Sequence, residues 1–510
     1  QDERWKYWVN HTPPAVAIDV ETISIKERYP LGLGIAFSPN ETFYIQLHPE
    51  PPIAALEALR PILANPMITK VMHNAIFDMM VWPLIPEIGE DLDTCNIWDT
   101  SVAARLLGYL EVELSLLAPE VGRSTTPARV LIAQYSNKVK AMAGVPAMEV
   151  AKHCMDDALT TYGLYLKFKD KIDQRYGGYF RVEMDTIPIL VEMSQKGILI
   201  DQKKLIELVY KYTAEAEFYL AQCQAAGIEN PASSQQVGYI LSHRGNFLKV
   251  YRGKKNPTTD EEALQFLDDP LAQNVLGYRK SSRFLSTYLM PSLGLERFNT
   301  EYYIETSVGR INSRNRNIQN IPDEKTKSGM PARSMFMPDS GMFTTGDYSR
   351  LHMYILAHMS GDRTLLDILY DPDPEHNDIH QRTADLMGTT RNLAKTLNYA
   401  VVYGATAKTI SEQAKLRDLA RCQHLLDSWF GVYKGVSYWI QEVQREGLRS
   451  GWAVPTLFGR RIRLPVEDED SMKRKAVNFP IIGSDSEIIK RAMIMCNRRK
   501  LGPPIMSITL

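Results

Sequence analysis

Arg391, Lys395, Tyr399 and Tyr403 stand one helical turn apart and are followed by Gly404. At about 100° per residue, each step of four drifts only about 40° round a helix, so the four side chains form one slowly turning stripe. Two cations one turn apart suit a polyphosphate, and a phenol ring one turn further on suits a base or a sugar. Taken alone, the stripe also reads as a solvated basic face whose aromatics turn into a core. Upstream, Gly346-Asp347-Tyr348-Ser349-Arg350 follows the run 340–345, whose alternation predicts a strand. A carboxylate leaving a strand end is a natural ligand for Mg²⁺, which takes carboxylate and phosphate oxygens together.

A second constellation lies in the first third. Asp19 and Glu21 sit at i and i+2 of the apolar run 16–22 and therefore leave one face of a strand. Asp78 ends the run Asn74-Ala-Ile-Phe-Asp, and Asp157 follows His153 by one turn in an amphipathic helical pattern. Scattered acids are usually surface acids, but acids inside apolar strands need compensation for their charge. Two divalent cations about 3.5–4 Å apart supply it and can drive phosphodiester hydrolysis.

Together these residues resemble the family A DNA polymerases of the bacterial polymerase I and phage replicative type. Asp347-Tyr348-Ser349 matches the first palm motif, and the Arg391 to Gly404 run matches the fingers helix that grips the incoming nucleotide. The segment Thr306 to Pro322 resembles the family's duplex-contacting segment, Asp378-Ile379-His380 the start of the fingers, and 456–461 and 474–483 later palm elements. The resemblance implies a multidomain α/β chain: a ribonuclease H-like 3′–5′ exonuclease domain followed by a right-hand polymerase. The expected bounds are exonuclease 1–174, thumb 175–295, first palm part 296–370, fingers 371–450 and second palm part 451–510. Helices are expected over 183–196, 202–226 and 260–267, with caps at Ser233 and near Asp260.

The resemblance also assigns roles. Asp347 and the adjacent Tyr348 hold the palm metals, Lys395 acts on the leaving pyrophosphate, and Arg391, Lys395, Tyr399, Tyr403, His352 and His380 contact the nucleotide. Arg279, Lys280, Thr306, Arg310, Asn317, Gln319, Asn320, Arg474 and Asn478 contact DNA. In the exonuclease, Asp19, Glu21, Asp78 and Asp157 bind metal, with His153 where relatives usually carry Tyr. Two Mg²⁺ per site are implied, with Mn²⁺ as a substitute, and the partners are primer–template DNA and dNTPs. Other departures are His352 in place of a sugar-facing Glu, Ile482 in place of Gln, and a short link from Gly388 to Arg391. The hairpin carrying the second palm carboxylate would follow Leu510.

Composition is compatible but not decisive. The 510 residues carry a net charge of −1, so the positive charge is local: 279–283, 310–316, 460–463 and 473–475. Five dispersed cysteines without a C-x-x-C pair point to reduced thiols and away from a zinc site. No apolar run reaches the roughly 20 residues that span a bilayer. A monomer in the cytoplasm of a bacterium or phage-infected cell is expected. Two alternatives stand beside DNA synthesis: an exonuclease whose second half only holds duplex, and a non-catalytic primer–template binding module.

Overall fold

The computed structural model describes residues 5–499 except 12, 25–26, 90–91, 93–95, 136–140, 249, 251–256, 266, 305–306, 325–328, 405, 415, 417 and 467. Two expected features, Thr306 and the strand approaching Leu510, lie outside the described residues, as do Cys95 and the basic loop 251–256. The chain forms two compact units, one of residues 1–193, 302–312 and 347–504, the other of 194–301, 313–346 and 505–510.

The first unit opens with a five-stranded sheet: β1 (Ala15–Thr22), β2 (Pro30–Ser38), β3 (Glu41–Gln46), β4 (Thr69–Met72) and β5 (Ile97–Asp99), in the order β3-β2-β1-β4-β5. The first three strands pair antiparallel, whereas β4 and β5 run parallel to β1. The sheet is therefore mixed. Alternation in β1 buries Val16, Ile18 and Val20 and leaves Asp19 and Glu21 only half-buried on the other face. Their cross-strand partners are Gly34 and Gly32. A Cβ on Gly34 would come within 2.8 Å of the Cys154 carbonyl oxygen, so glycine lets a helix lie directly on the strand that faces the acids.

That helix, Ala147–Lys196, is 50 residues long and contains Pro188. It passes through position 174, the expected domain boundary, without a break, because nothing at that position interrupts helical hydrogen bonding. Trp98 anchors it to β5, with ring centroids 5.1 Å from Tyr165 and 5.0 Å from Phe180. Further along, Glu183 accepts from the fully buried Lys490 at 2.5 Å, a charge pair linking this helix to Glu469–Arg498.

The remainder of the first unit is largely helical. Leu351–Ser360, Ile379–Met387, Arg391–Val402, Leu419–Val432 and Lys434–Ser450 share a core of Met353, Leu356, Leu397, Val401, Trp429 and Tyr433. The short link after Gly388 is a complete turn: Gly388 is left-handed, Thr389 N–H returns to the Ala384 carbonyl, and Thr390 caps the next helix. Residues 340–349 form no strand and are exposed, contrary to expectation. Alternation alone does not make a strand without a neighbour to complete its ladder, and none of the paired strands includes these residues.

In the second unit, Gln202–Ala225, Ser234–His243 and Pro270–Phe284 pack around Cys223, Val237, Leu241 and Val275. Ser233 caps its helix as expected, and Asp260 accepts from Ala263 N–H at 2.8 Å. The helix after Asp260 spans Glu261–Gln265. No described helix is long and apolar enough to cross a membrane.

Candidate active sites

The helix Arg391–Val402 brings three of its four stripe residues to a cleft of about 370 Å³ lined by Asp347, Ser349, Arg350, Asn377, Asp378, His380, Arg391, Lys395 and Tyr399. Tyr403 falls outside that lining. Three steps of four carry it about 120° round the axis from Arg391, and it caps the helix instead. Gly404 then takes φ +66°, and a Cβ there would lie 3.2 Å from the Arg474 Cα, so both conformation and space favour glycine.

Asp378 organises this cleft. It caps the helix Ile379–Met387 through the N–H groups of His380 and Gln381, at 3.0 and 3.2 Å, and accepts from Arg391 Nε at 2.9 Å. Partial burial works against its charge, but the Arg391 guanidinium and the capping N–H groups hold the carboxyl below its usual range. The His380 ring stands 5.5 Å from the Tyr399 ring, centroid to centroid. Arg350, left-handed at φ +58°, donates to the Asn377 carbonyl and lines the same cleft. Asp347 and the neighbouring Tyr348 are exposed, with Asp347 in the lining. The arrangement pairs one open carboxylate with Lys395 and a partly neutralised Arg391.

His352, expected against the nucleotide, is buried and outside the cleft lining. Its Nδ1 lies 3.4 Å from the Tyr403 hydroxyl, and its Nε2 lies 3.4 Å from Asp485 Oδ2. Arg310 reaches the same Asp485 oxygen at 3.4 Å. Asp485 was not singled out from sequence, since only folding brings it to residues so distant in the chain.

The exonuclease candidates do converge. The β1–β4 ladder ends at Ala17↔Val71, and beyond it Val20 N–H donates to Asp78 Oδ1 at 3.0 Å. His153 Nε2 lies 3.1 Å from Glu21 Oε1 and 3.8 Å from Asp157 Oδ2. Burial, and secondarily Glu21, raises the Asp19 carboxyl to about 7. Burial, then Asp19, raises Asp157 to about 8, and the same two causes push Asp78 well above its ordinary value. Burial opposes the His153 cation, yet the Glu21 hydrogen bond and the surrounding acids lift it to about 9.

Asp19 Oδ2 and Asp157 Oδ1 are buried without a hydrogen-bond partner. Orphaned carboxylate oxygens of this kind fit a hard cation, although among the described residues no three ligand-type side chains already close into a cage. Sequence reading missed Asp99. This buried side chain accepts from the N–H groups of Asn74, Ala75 and Ser101, at 3.2, 2.7 and 2.8 Å, and so fixes the turn that aims the Asp78 helix.

Several expected DNA contacts also make local hydrogen bonds. Arg279 Nε donates to the Pro231 carbonyl at 2.7 Å and NH1 to the Thr259 carbonyl. It therefore braces its own unit, and Lys280 is the exposed cation beside it. Asn317 accepts from Ser313 at 2.8 Å and caps the short turn at Ile318–Asn320, while Gln319 accepts from Ser313 at 3.2 Å. The Asn320 and Arg474 side chains are exposed, and Arg310 is held as described above. Asn478 is half-buried and its Oδ1 has no partner.

The sequence matches the 3′–5′ exonuclease family over residues 3–173 and DNA polymerase family A over residues 203–502. It is 31% identical to DNA polymerase I of Chloroflexus aurantiacus, an alignment covering 95% of this chain and 55% of that protein. Identity to DNA polymerase I of Treponema pallidum is 30%, over 87% of this chain and 46% of that one. The chain thus spans about half the length of these relatives. In fold it is similar to the POL domain of Pol1 from M. smegmatis, solved in complex with DNA primer-template and dNTP. The TM-score is 0.78 at 22% identity, over 98% of this chain and 88% of that one.

Proposed function

The chain belongs to DNA polymerase family A, and from that premise we propose that it extends a DNA primer by template-directed nucleotidyl transfer and trims mismatched 3′ ends. The observation that carries the synthetic half is the cleft in which Asp347 shares a lining with Arg391, Lys395, His380 and Tyr399. An incoming dNTP places its triphosphate along Arg391, Lys395 and His380 and its base or sugar against Tyr399. The primer 3′-hydroxyl then attacks the α-phosphate in line and pyrophosphate leaves. Lys395 sits where it can give a proton to that leaving group, and Arg391 is released from Asp378 in proportion to its engagement with phosphate.

Asp347 and the backbone of Tyr348 would hold divalent cation in the palm, and Asp19, Glu21, Asp78 and Asp157 in the exonuclease. When bound, Mg²⁺ supplies positive charge beside the reacting phosphate and lowers the pKa of the attacking oxygen. In the exonuclease, His153 is held by Glu21 with its ring toward Asp157, a position from which it orients those carboxylates and can pass a proton. The four described cysteines are free thiols, which accords with a reducing, cytoplasm-like compartment.

The test is extension of an end-labelled primer on two templates that differ in one coding base. Template-dictated products in the presence of Mg²⁺ support the reading. Trimming without extension shows that the second half only holds duplex, and neither activity shows a binding module.

A further inference from the structure

We propose that Asn398 is a positioning residue for His380: it fixes the ring as a neutral imidazole with its proton on Nε2, ready to donate to the triphosphate of an incoming nucleotide. This rests on the polymerase reading above and adds to it a residue that touches no substrate.

Asn398 is fully buried. The Trp429 indole Nε1 lies 2.7 Å from Asn398 Oδ1. An indole nitrogen only donates, so the atom facing it must be the amide oxygen and the amide cannot be turned round. The Asn398 Nδ2 then faces the Ile379 carbonyl at 3.4 Å and His380 Nδ1 at 3.0 Å. An amide NH₂ only donates, so Nδ1 must accept. An imidazolium has no acceptor, hence the ring is neutral and its single proton is on Nε2. Thr383 closes the arrangement: its hydroxyl donates to the Ile379 carbonyl at 2.5 Å, and its Oγ1 lies 3.2 Å from Asn398 Nδ2, farther than His380 Nδ1, and 2.7 Å from the Tyr433 hydroxyl.

The charged groups facing the ring agree. Burial first, and then the cations Arg391, Lys395 and Arg350, hold His380 below its ordinary pKa against the pull of Asp378. A stripe of cations thus attracts the triphosphate, while a neutral donor of fixed direction helps to orient it. A freely rotating or doubly protonated ring would add charge but less geometric selection.

The experiment is ¹⁵N-histidine NMR of the whole protein at pH 7.5, with His380 assigned by its disappearance in His380→Gln. The expected spectrum shows the Nε2–H tautomer. Either an Nδ1–H tautomer or a doubly protonated ring overturns the proposal, and this arm needs no Asn398 variant to fold. In Asn398→Asp the carboxylate can only accept, so the proton should move to Nδ1. Affinity for dNTP, measured on a dideoxy-terminated primer–template, should then fall about tenfold or more at pH 9 and recover at pH 6, where Nε2 is protonated again. Duplex affinity should not change. A variant whose dNTP affinity equals the parent's at both pH values contradicts the proposal. If the parent binds no dNTP at all, the polymerase reading fails, while the NMR still decides the tautomer.

Discussion

His352 Nε2 lies 3.4 Å from Asp485 Oδ2, on the far side of the ring from the Tyr403 hydroxyl that meets its Nδ1. The residue at the position expected to face the sugar is thus wedged between a phenol and a buried acid that Arg310 also approaches. The imidazole and Asp485 are best understood as a pair, and changing one without the other should expose the coupling.

His352→Glu is expected to set two carboxylates against each other and to cost on the order of 2 kcal/mol. Adding Asp485→Ala should recover most of that loss. Thermal denaturation of the parent, both single variants and the double variant gives the coupling. Additive effects would show that the pair does not interact. The double variant should also reject ribonucleotides more strongly than the parent, read from matched ribo- and deoxynucleotide incorporation, because an imidazole N–H can donate to a 2′-hydroxyl whereas a carboxylate beside Tyr403 cannot.

Lys395→Ala should slow nucleotide incorporation by at least about a hundredfold, since a cation at the leaving pyrophosphate is worth roughly 3–4 kcal/mol in the transition state. Primer–template affinity should change little. Single-turnover incorporation and duplex binding, measured side by side, separate this from a helix that merely binds DNA, for which both would fall together.

Tyr399→Phe should make the enzyme discriminate more strongly against 2′,3′-dideoxynucleotides. The phenol hydroxyl can replace a hydrogen bond that the missing 3′-hydroxyl no longer makes, and Phe cannot. Equal chain termination by the two forms would remove this role for the hydroxyl.

Glu487 gives a pH signature independent of catalysis. Burial raises its carboxyl to about 7 despite a hydrogen bond from Thr456 at 2.7 Å and the nearby Arg460 and Lys490. The folded chain therefore keeps a proton that the unfolded chain has already lost. Stability should fall as pH rises from the unfolded value toward about 7 and level off above it. Glu487→Gln should make that slope shallower and stabilise the protein at pH 8 by up to about 3 kcal/mol. Melting temperatures from pH 5 to 8 check it, and parallel slopes in parent and variant would contradict it.

What the sequence reveals here is what local periodicity controls. The stripe on 391–402 and the paired acids of β1 follow from helical and strand spacing within a single element, and the structure brings Arg391, Lys395 and Tyr399 to one cleft. Long-range partners carry no such signal. Asp485 meets Arg310 across 175 positions, and Asp99 supports Asp78 through the backbone of a turn. Arg279 is picked out as a DNA contact because charge is visible in sequence, whereas the carbonyls that its guanidinium also meets are not. The run 340–345 alternates like a strand, and alternation cannot show whether a neighbouring strand is there to pair with it.

We propose that two separate sites on one chain perform synthesis and trimming. The most direct measurement is the pair of activities in Asp347→Ala and in the double variant Asp19→Ala/Glu21→Ala, on one end-labelled primer–template with a mismatched 3′ end. Asp347→Ala is expected to trim at the parental rate and no longer to extend. The double variant should extend a matched primer and no longer trim. Loss of both activities in either protein, or parental trimming by the double variant, would contradict it.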